Sequence, residues 1–140
     1  MIKEVEKLTA THEIIVQAGH SKFKSNKMEI FDFISSEMLN ILYQKADYII
    51  THAGAGSMFH AIKLAKKTIV FPRLRKYGEH VNDHQLQLAE KLQNMGYLLV
   101  FYDGDDIVNK FNEVRAFMPA PYNLKGDIVA LIDNSINASI

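Results

Sequence analysis

Residues 47–62 read DYIITHAGAGSMFHAI. DYIIT (47–51) packs aromatic and β-branched residues into a short run, which predicts a strand. GSMFHAIKLAKK (56–67) has helical period, with Phe59, Ile62 and either Lys63 or Lys66 on successive turns. At the junction, THAGAGS (51–57) holds two of the chain's seven glycines. Glycine permits positive φ and close approach to the main chain, and a helix start offers unpaired N–H groups and a partial positive charge. A tight turn explains one glycine. An anion held by backbone amides, helped by the Ser57 hydroxyl, explains the whole stretch. The motif is weak alone, since it is neither a Walker loop nor a three-glycine dinucleotide fingerprint.

The same alternation extends in both directions. EIIVQAG (13–19) reads as a buried strand and MEIFDFI (28–34) as a weaker, alternating one. SSEMLNILYQKA (35–46) is a helix with a Ser-Ser cap, Glu37 in the first turn, and Met38, Leu39, Leu42 and Ala46 at helical spacing. TIVFP (68–72) is a strand stopped by proline, NDHQLQLAEKLQNMG (82–96) a helix ending in glycine, and YLLVFYD (97–103) the last strand. Helices are expected at 105–118 and, after Pro119 and Pro121, at 123–140, where the apolar face packs on the sheet or crosses to a partner. Short strands alternating with helices predict an α/β fold with a doubly wound, mainly parallel sheet.

At 140 residues the chain is one domain, 1–140, large enough for a real core. Sixteen basic and sixteen acidic residues cancel, which argues against a nucleic-acid partner and makes any anion site local. Without cysteine there is neither a disulfide nor cysteine-ligated zinc. No apolar run reaches the roughly 18–20 residues that span a bilayer, and MIKEVEKLTA reads as a charged amphipathic stretch rather than a signal peptide.

Ligands of doubly wound sheets sit beyond the carboxyl ends of the strands. That rule selects the loops at 19–27, 51–57 and 72–82. Around them lie four of the six histidines (His20, His52, His80, His84) and Arg73, Arg75 and Lys76. Asn82 or Asp83 can cap the following helix, and Gln85, both donor and acceptor, suits a sugar hydroxyl. His80, Asp83 and His84 have a metal-compatible spacing, but no clear second half of a ligand set accompanies them. No metal is expected.

Three segments, THAGAGS, TIVFPR and GEHVNDHQLQLAEKLQNMGYLLV, resemble the C-terminal domain of family 28 glycosyltransferases over about residues 2–118. The likeness is greatest to the small catalytic subunits of two-component enzymes: the dolichol-linked N-acetylglucosaminyltransferase and bacterial exopolysaccharide or capsule transferases. The resemblance implies the Rossmann-like half of a GT-B fold, a UDP-sugar as substrate with no cofactor, and a membrane-anchored subunit that binds the acceptor. It also implies a place in the cytoplasm at the inner face of the membrane, reached through that partner. Gly54, Ala55, Gly56 and Ser57 would lie against the donor diphosphate, and His84 and Gln85 against the sugar. His52 would sit near the reacting centre, with Arg73 as an additional cation. His52 and His84 are the candidate general bases, since histidine titrates near neutrality.

Two departures from the family pattern carry expectations. His60 stands where the family has a glutamate that grips the ribose, and imidazole is not a two-oxygen acceptor. The helix IKEVEKL is preceded in relatives by an apolar strand and a Gly-Thr loop that belongs to their active site. A sheet lacking that central strand leaves EIIVQAG and DYIIT without a shared neighbour. An upstream start, direct pairing of the two strands, or a strand from another chain would resolve this. Open edges also admit homo-oligomers. The expected function is the catalytic, donor-binding subunit of a bipartite inverting glycosyltransferase. It passes a hexose or N-acetylhexosamine from UDP to a lipid-linked acceptor in surface polysaccharide synthesis. A non-catalytic enhancer subunit is the alternative.

Overall fold

A computed structural model describes residues 1–20, 22–72 and 84–122. Along the chain run α1 (Ile2–Glu6), β1 (Ile15–Gln17), β2 (Glu29–Phe31), α2 (Ser36–Lys45), β3 (Tyr48–His52), α3 (Ala55–Lys63), β4 (Lys67–Phe71), α4 (His84–Asn94), β5 (Leu99–Val100) and α5 (Ile107–Ala116). All strand pairs are parallel, yet they form two sheets: β1 with β2, and β3–β4–β5 in that order. The expected α/β class with parallel pairing is what the chain adopts. Of the resolutions left open for the central gap, direct pairing of β1 with β3 does not occur among the described residues.

Local chemistry sets most boundaries. Ser35 accepts from the Met38 N–H and caps α2, and Asp106 does the same for α5 through Asn109. The Lys66 ammonium donates to the Gln44 and Ala46 carbonyls at 2.8 Å, satisfying the end of α2. α4 ends at Gly96, whose φ of +85° closes the turn with Tyr97 N–H donating to Leu92 O. Ala65 does the same after α3 at φ +53°, with Lys66 N–H donating to Ala61 O. A side chain in that left-handed region costs roughly 1–2 kcal/mol.

β4 is the hub. Thr68, Ile69, Val70 and Phe71 are all buried, and core lies on both sides. On one side Met58, Phe59, Ile62, Val70, Ala89, Leu92, Leu98 and Val100 interlock. On the other, Leu8 and Ile69 meet Phe71, Ile107, Phe111 and Val114. A near-continuous apolar strand therefore marks the centre, as parallel sheets covered on both faces require.

Two expectations fail at the β1–β2 sheet. EIIVQAG is not a buried strand: its regular part is three residues long, and Ile15 is 42% exposed. The inner face of α2 is Leu39, Tyr43 and Ala46, packed with Ile49 and Ala61. Met38 and Leu42 instead line an open hollow beside Ile15, and Met38 is 47% exposed. Both misreadings have one cause. Their apolar side chains face the place where the sheet is interrupted. The expected helix at 123–140 lies outside the described residues.

Candidate functional site

β3 delivers His52 to the carboxyl edge of the sheet, and two residues later α3 begins. Gly54 is the N-cap in extended conformation (φ −72°, ψ 136°), with no side chain capping the helix. The first helical bond runs from Met58 N–H to Gly54 O. The N–H groups of Ala55, Gly56 and Ser57 thus precede the ladder and have no main-chain acceptor among the described residues. Neither Gly54 nor Gly56 has positive φ, so the turn itself does not require glycine. A Cβ at either position would meet nothing within 4 Å among the described residues. Among those residues the lack of side chains leaves space against three amides without a main-chain acceptor, at the positive end of a helix dipole.

Other predicted residues converge on this edge. Ala55 and Leu86 both pack against the cluster that holds Ala53 and Ala89, and α4, which follows β4 and leads into the parallel β5, starts with His84 and Gln85 at the same carboxyl end of the sheet as Gly54–Ser57. Both side chains are engaged there. His52 Nδ1 lies 3.2 Å from the Phe71 carbonyl oxygen. A carbonyl only accepts, so Nδ1 carries a proton and donates it. Arg73, Asn82 and Asp83, with Arg75, Lys76 and His80, lie outside the described residues. Among the described residues no group of three or more histidine, aspartate or glutamate side chains could hold a metal ion.

His60 is tied to α2. Its Nε2 is 2.9 Å from Asn40 Oδ1, and its ring stacks on Tyr43 with centroids 4.3 Å apart and planes 4° from parallel. The Tyr43 hydroxyl is hydrogen-bonded with Ser57 and Thr51. Burial pushes its pKa above 10.0, and those two hydrogen bonds lessen the rise. Asn40, Tyr43 and Thr51 thus brace the glycine turn from behind. Sequence reading missed all three. Tyr43 occupies the position between Leu39 and Ala46 on α2's helical stripe, and that spacing was the available signal.

A second hollow lies at the carboxyl end of the β1–β2 sheet, lined by His20, Lys22, Lys24, Asp32 and Phe33. The His20 and Phe33 rings meet edge to face at 5.1 Å.

Known proteins resemble this chain in sequence. The glycosyltransferase family 28 C-terminal domain matches residues 2–127. The UDP-N-acetylglucosamine transferase subunit ALG13 of Candida glabrata is 30% identical over 99 residues, 70% of this chain and 46% of that protein. The subunit of that name from Yarrowia lipolytica is 30% identical over 118 residues, 81% of this chain and 58% of that protein. An undecaprenol-linked N-acetylglucosamine transferase of Clostridium botulinum is 32% identical over 79 residues, 56% of this chain and 21% of its own length. A solution structure of ALG13 aligns with a TM-score of 0.46 at 28% identity, covering 69% of this chain and 48% of that one. The chain thus spans less than two thirds of the length of each of these relatives. With the match covering most of its length, the chain belongs to the glycosyltransferase family 28 C-terminal domain family.

Proposed function

We propose that this chain is the donor-binding, catalytic subunit of a two-component inverting glycosyltransferase that uses a UDP-sugar. The observation that carries the reading is the run of three amides at Ala55, Gly56 and Ser57 that have no main-chain acceptor among the described residues, at the same end of the sheet as the start of α4. A diphosphate fits such a site because the amides and the helix dipole are fixed before the ligand arrives. In the transfer, an acceptor hydroxyl attacks the anomeric carbon and the bond to the β-phosphate oxygen breaks. UDP leaves with the electron pair, and the amides stabilise the charge that builds on it. No cofactor is needed for that role. His52 and His84 are the candidates for accepting the hydroxyl proton.

Relatives named as N-acetylglucosamine transferases favour an N-acetylhexosamine donor. The printed word "subunit" favours a separate acceptor-binding partner. We extend this to a lipid-linked acceptor in surface polysaccharide synthesis and a membrane-anchored partner at the inner face of the membrane. Among the described residues no helix is long and apolar enough to cross a membrane. A second reading, an enhancer subunit with weak donor binding, is favoured by the interruption of the sheet beside β3 and by the engagement of His60 with Asn40.

Calorimetric titration with UDP and UDP-N-acetylglucosamine separates the two. Micromolar binding by the wild type, lost in Gly54→Val, supports the donor site. Absence of binding, with the partner subunit present as well as without it, leaves the enhancer reading.

A further inference from the structure

Where α2 meets the start of α3, each helix contributes two residues three positions apart: Asn40 and Tyr43 from α2, Ser57 and His60 from α3. His60 Nε2 donates to Asn40 Oδ1, and the His60 ring lies flat on the Tyr43 ring, 4.3 Å away and 4° from parallel. Tyr43 is buried and packs with Ile49 of β3 and Ala61 of α3. Side chains alternate along a strand, so Thr51 lies on the same face of β3 as Ile49, nearer the glycine turn. The Tyr43 hydroxyl thus sits between Thr51 and Ser57 and is hydrogen-bonded with both.

Each of these hydroxyls has a single proton to give. The phenol donates to one neighbour and accepts from the other, which allows two orders. In the first, Thr51 donates to Tyr43, Tyr43 donates to Ser57, and the Ser57 proton is left for a further acceptor. In the second, Ser57 donates to Tyr43 and presents only lone pairs, which repel an anion. Ser57 is the third residue of α3, after the N-cap Gly54. A side chain at that position reaches back to the helix start, beside the amides of Ala55, Gly56 and Ser57. A phenolic proton lies in the plane of its ring, so the stack on His60 also fixes the direction in which Tyr43 donates.

We propose that Tyr43 is a positioning residue for the anion held at the start of α3: it accepts from Thr51, donates to Ser57, and so leaves the Ser57 proton for the ligand. Tyr43 acts through Ser57 and touches no ligand itself. This rests on the reading that the glycine turn holds the donor diphosphate. An anion at the helix start supplies the acceptor that ends the row of hydroxyls. It thereby selects the first order, and each hydrogen bond in the row strengthens the next. Without the phenol, the Ser57 hydroxyl is free to turn back onto a main-chain carbonyl of the preceding turn, as helical serines do.

The test is a double-mutant cycle on the full 140-residue chain, read as UDP affinity by calorimetry. Ser57→Ala is expected to weaken UDP about tenfold, as the loss of one hydrogen bond to a charged group does. Tyr43→Phe keeps the ring and its stack on His60, and should weaken UDP about three- to fivefold. In the Ser57→Ala background Tyr43→Phe should weaken it no further, because the residue through which it acts is gone. A merely structural role would show the same loss in both backgrounds. Thr51→Val, of similar shape, removes the hydroxyl at the other end of the row. It should cost about twofold, again only where Ser57 is present. Undiminished affinity in Tyr43→Phe, or equal losses with and without Ser57, overturns the positioning role and leaves the donor site standing. A wild type that binds no UDP, with the partner subunit or without it, overturns both.

Discussion

The two edges of the three-stranded sheet are finished differently. At β5 the outward Val100 N–H is taken by the Gln93 side chain at 2.7 Å, and the Tyr102 hydroxyl, 3.3 Å from the Gln93 amide nitrogen, continues the network to Glu90. That edge is closed by side chains and cannot template another strand. Among the described residues β3 has no such cover: the outward groups of Tyr48 and Ile50 have no main-chain partner there, and apolar side chains from α2 and β1 line a hollow nearby. One edge is an end and the other is an interruption. The lesson reaches function, because β3 leads into the glycine turn at the carboxyl end of the sheet, the end at which doubly wound sheets bind their ligands.

Substitutions can break or sharpen this contrast. The largest effect belongs to the finished half. Leu92 is fully buried between α4 and the sheet, and Leu92→Ala should cost about 2–5 kcal/mol in a urea titration. A loss below about 1 kcal/mol would show that this half is not the stable core. Tyr43→Phe should cost about 1 kcal/mol, by leaving Ser57 and Thr51 without their shared partner. The folded-state pKa of Tyr43 lies above its unfolded value of 10.0. Its contribution is thus whole below pH 10 and is lost as pH rises from there through the folded pKa, since the unfolded phenol ionises first. The wild type should destabilise more steeply than Tyr43→Phe in alkaline denaturation, and parallel curves would refute the coupling.

Gln93→Ala removes the cover of β5. Val100 exchange should accelerate about five- to tenfold, equivalent to roughly 1 kcal/mol, while Ile50 exchange stays unchanged. The smallest effect is expected at the interruption. Ile15→Ala should cost less than about 1 kcal/mol, because 42% of its surface is already exposed. A loss comparable to that of Leu92→Ala would mean that Ile15 is buried in solution.

Sequence reading located all five strands and the described helices at α2 to α5, because each pairs a clear apolar period with a chemical stop: Ser35 before α2, Pro72 after β4, Gly96 after α4. It also picked out the glycine turn, though for a partly mistaken reason. Positive φ is absent at Gly54 and Gly56, and what distinguishes them is the space a side chain would fill. Tyr43, Asn40 and Thr51 were not legible, since bracing the turn depends on how α2 lies across β3.

What the sequence alone determined is the α/β class, the place of the helix start at Gly54–Ser57, and the resemblance that the family match bears out. These rest on local period, capping and residue type. Tertiary structure decided which apolar residues are core. Leu39 and Tyr43 are buried while Met38 and Leu42, equally apolar neighbours on the same helix, look onto a hollow. Burial depends on what lies across from a side chain, and the residue pattern of one helix does not show that.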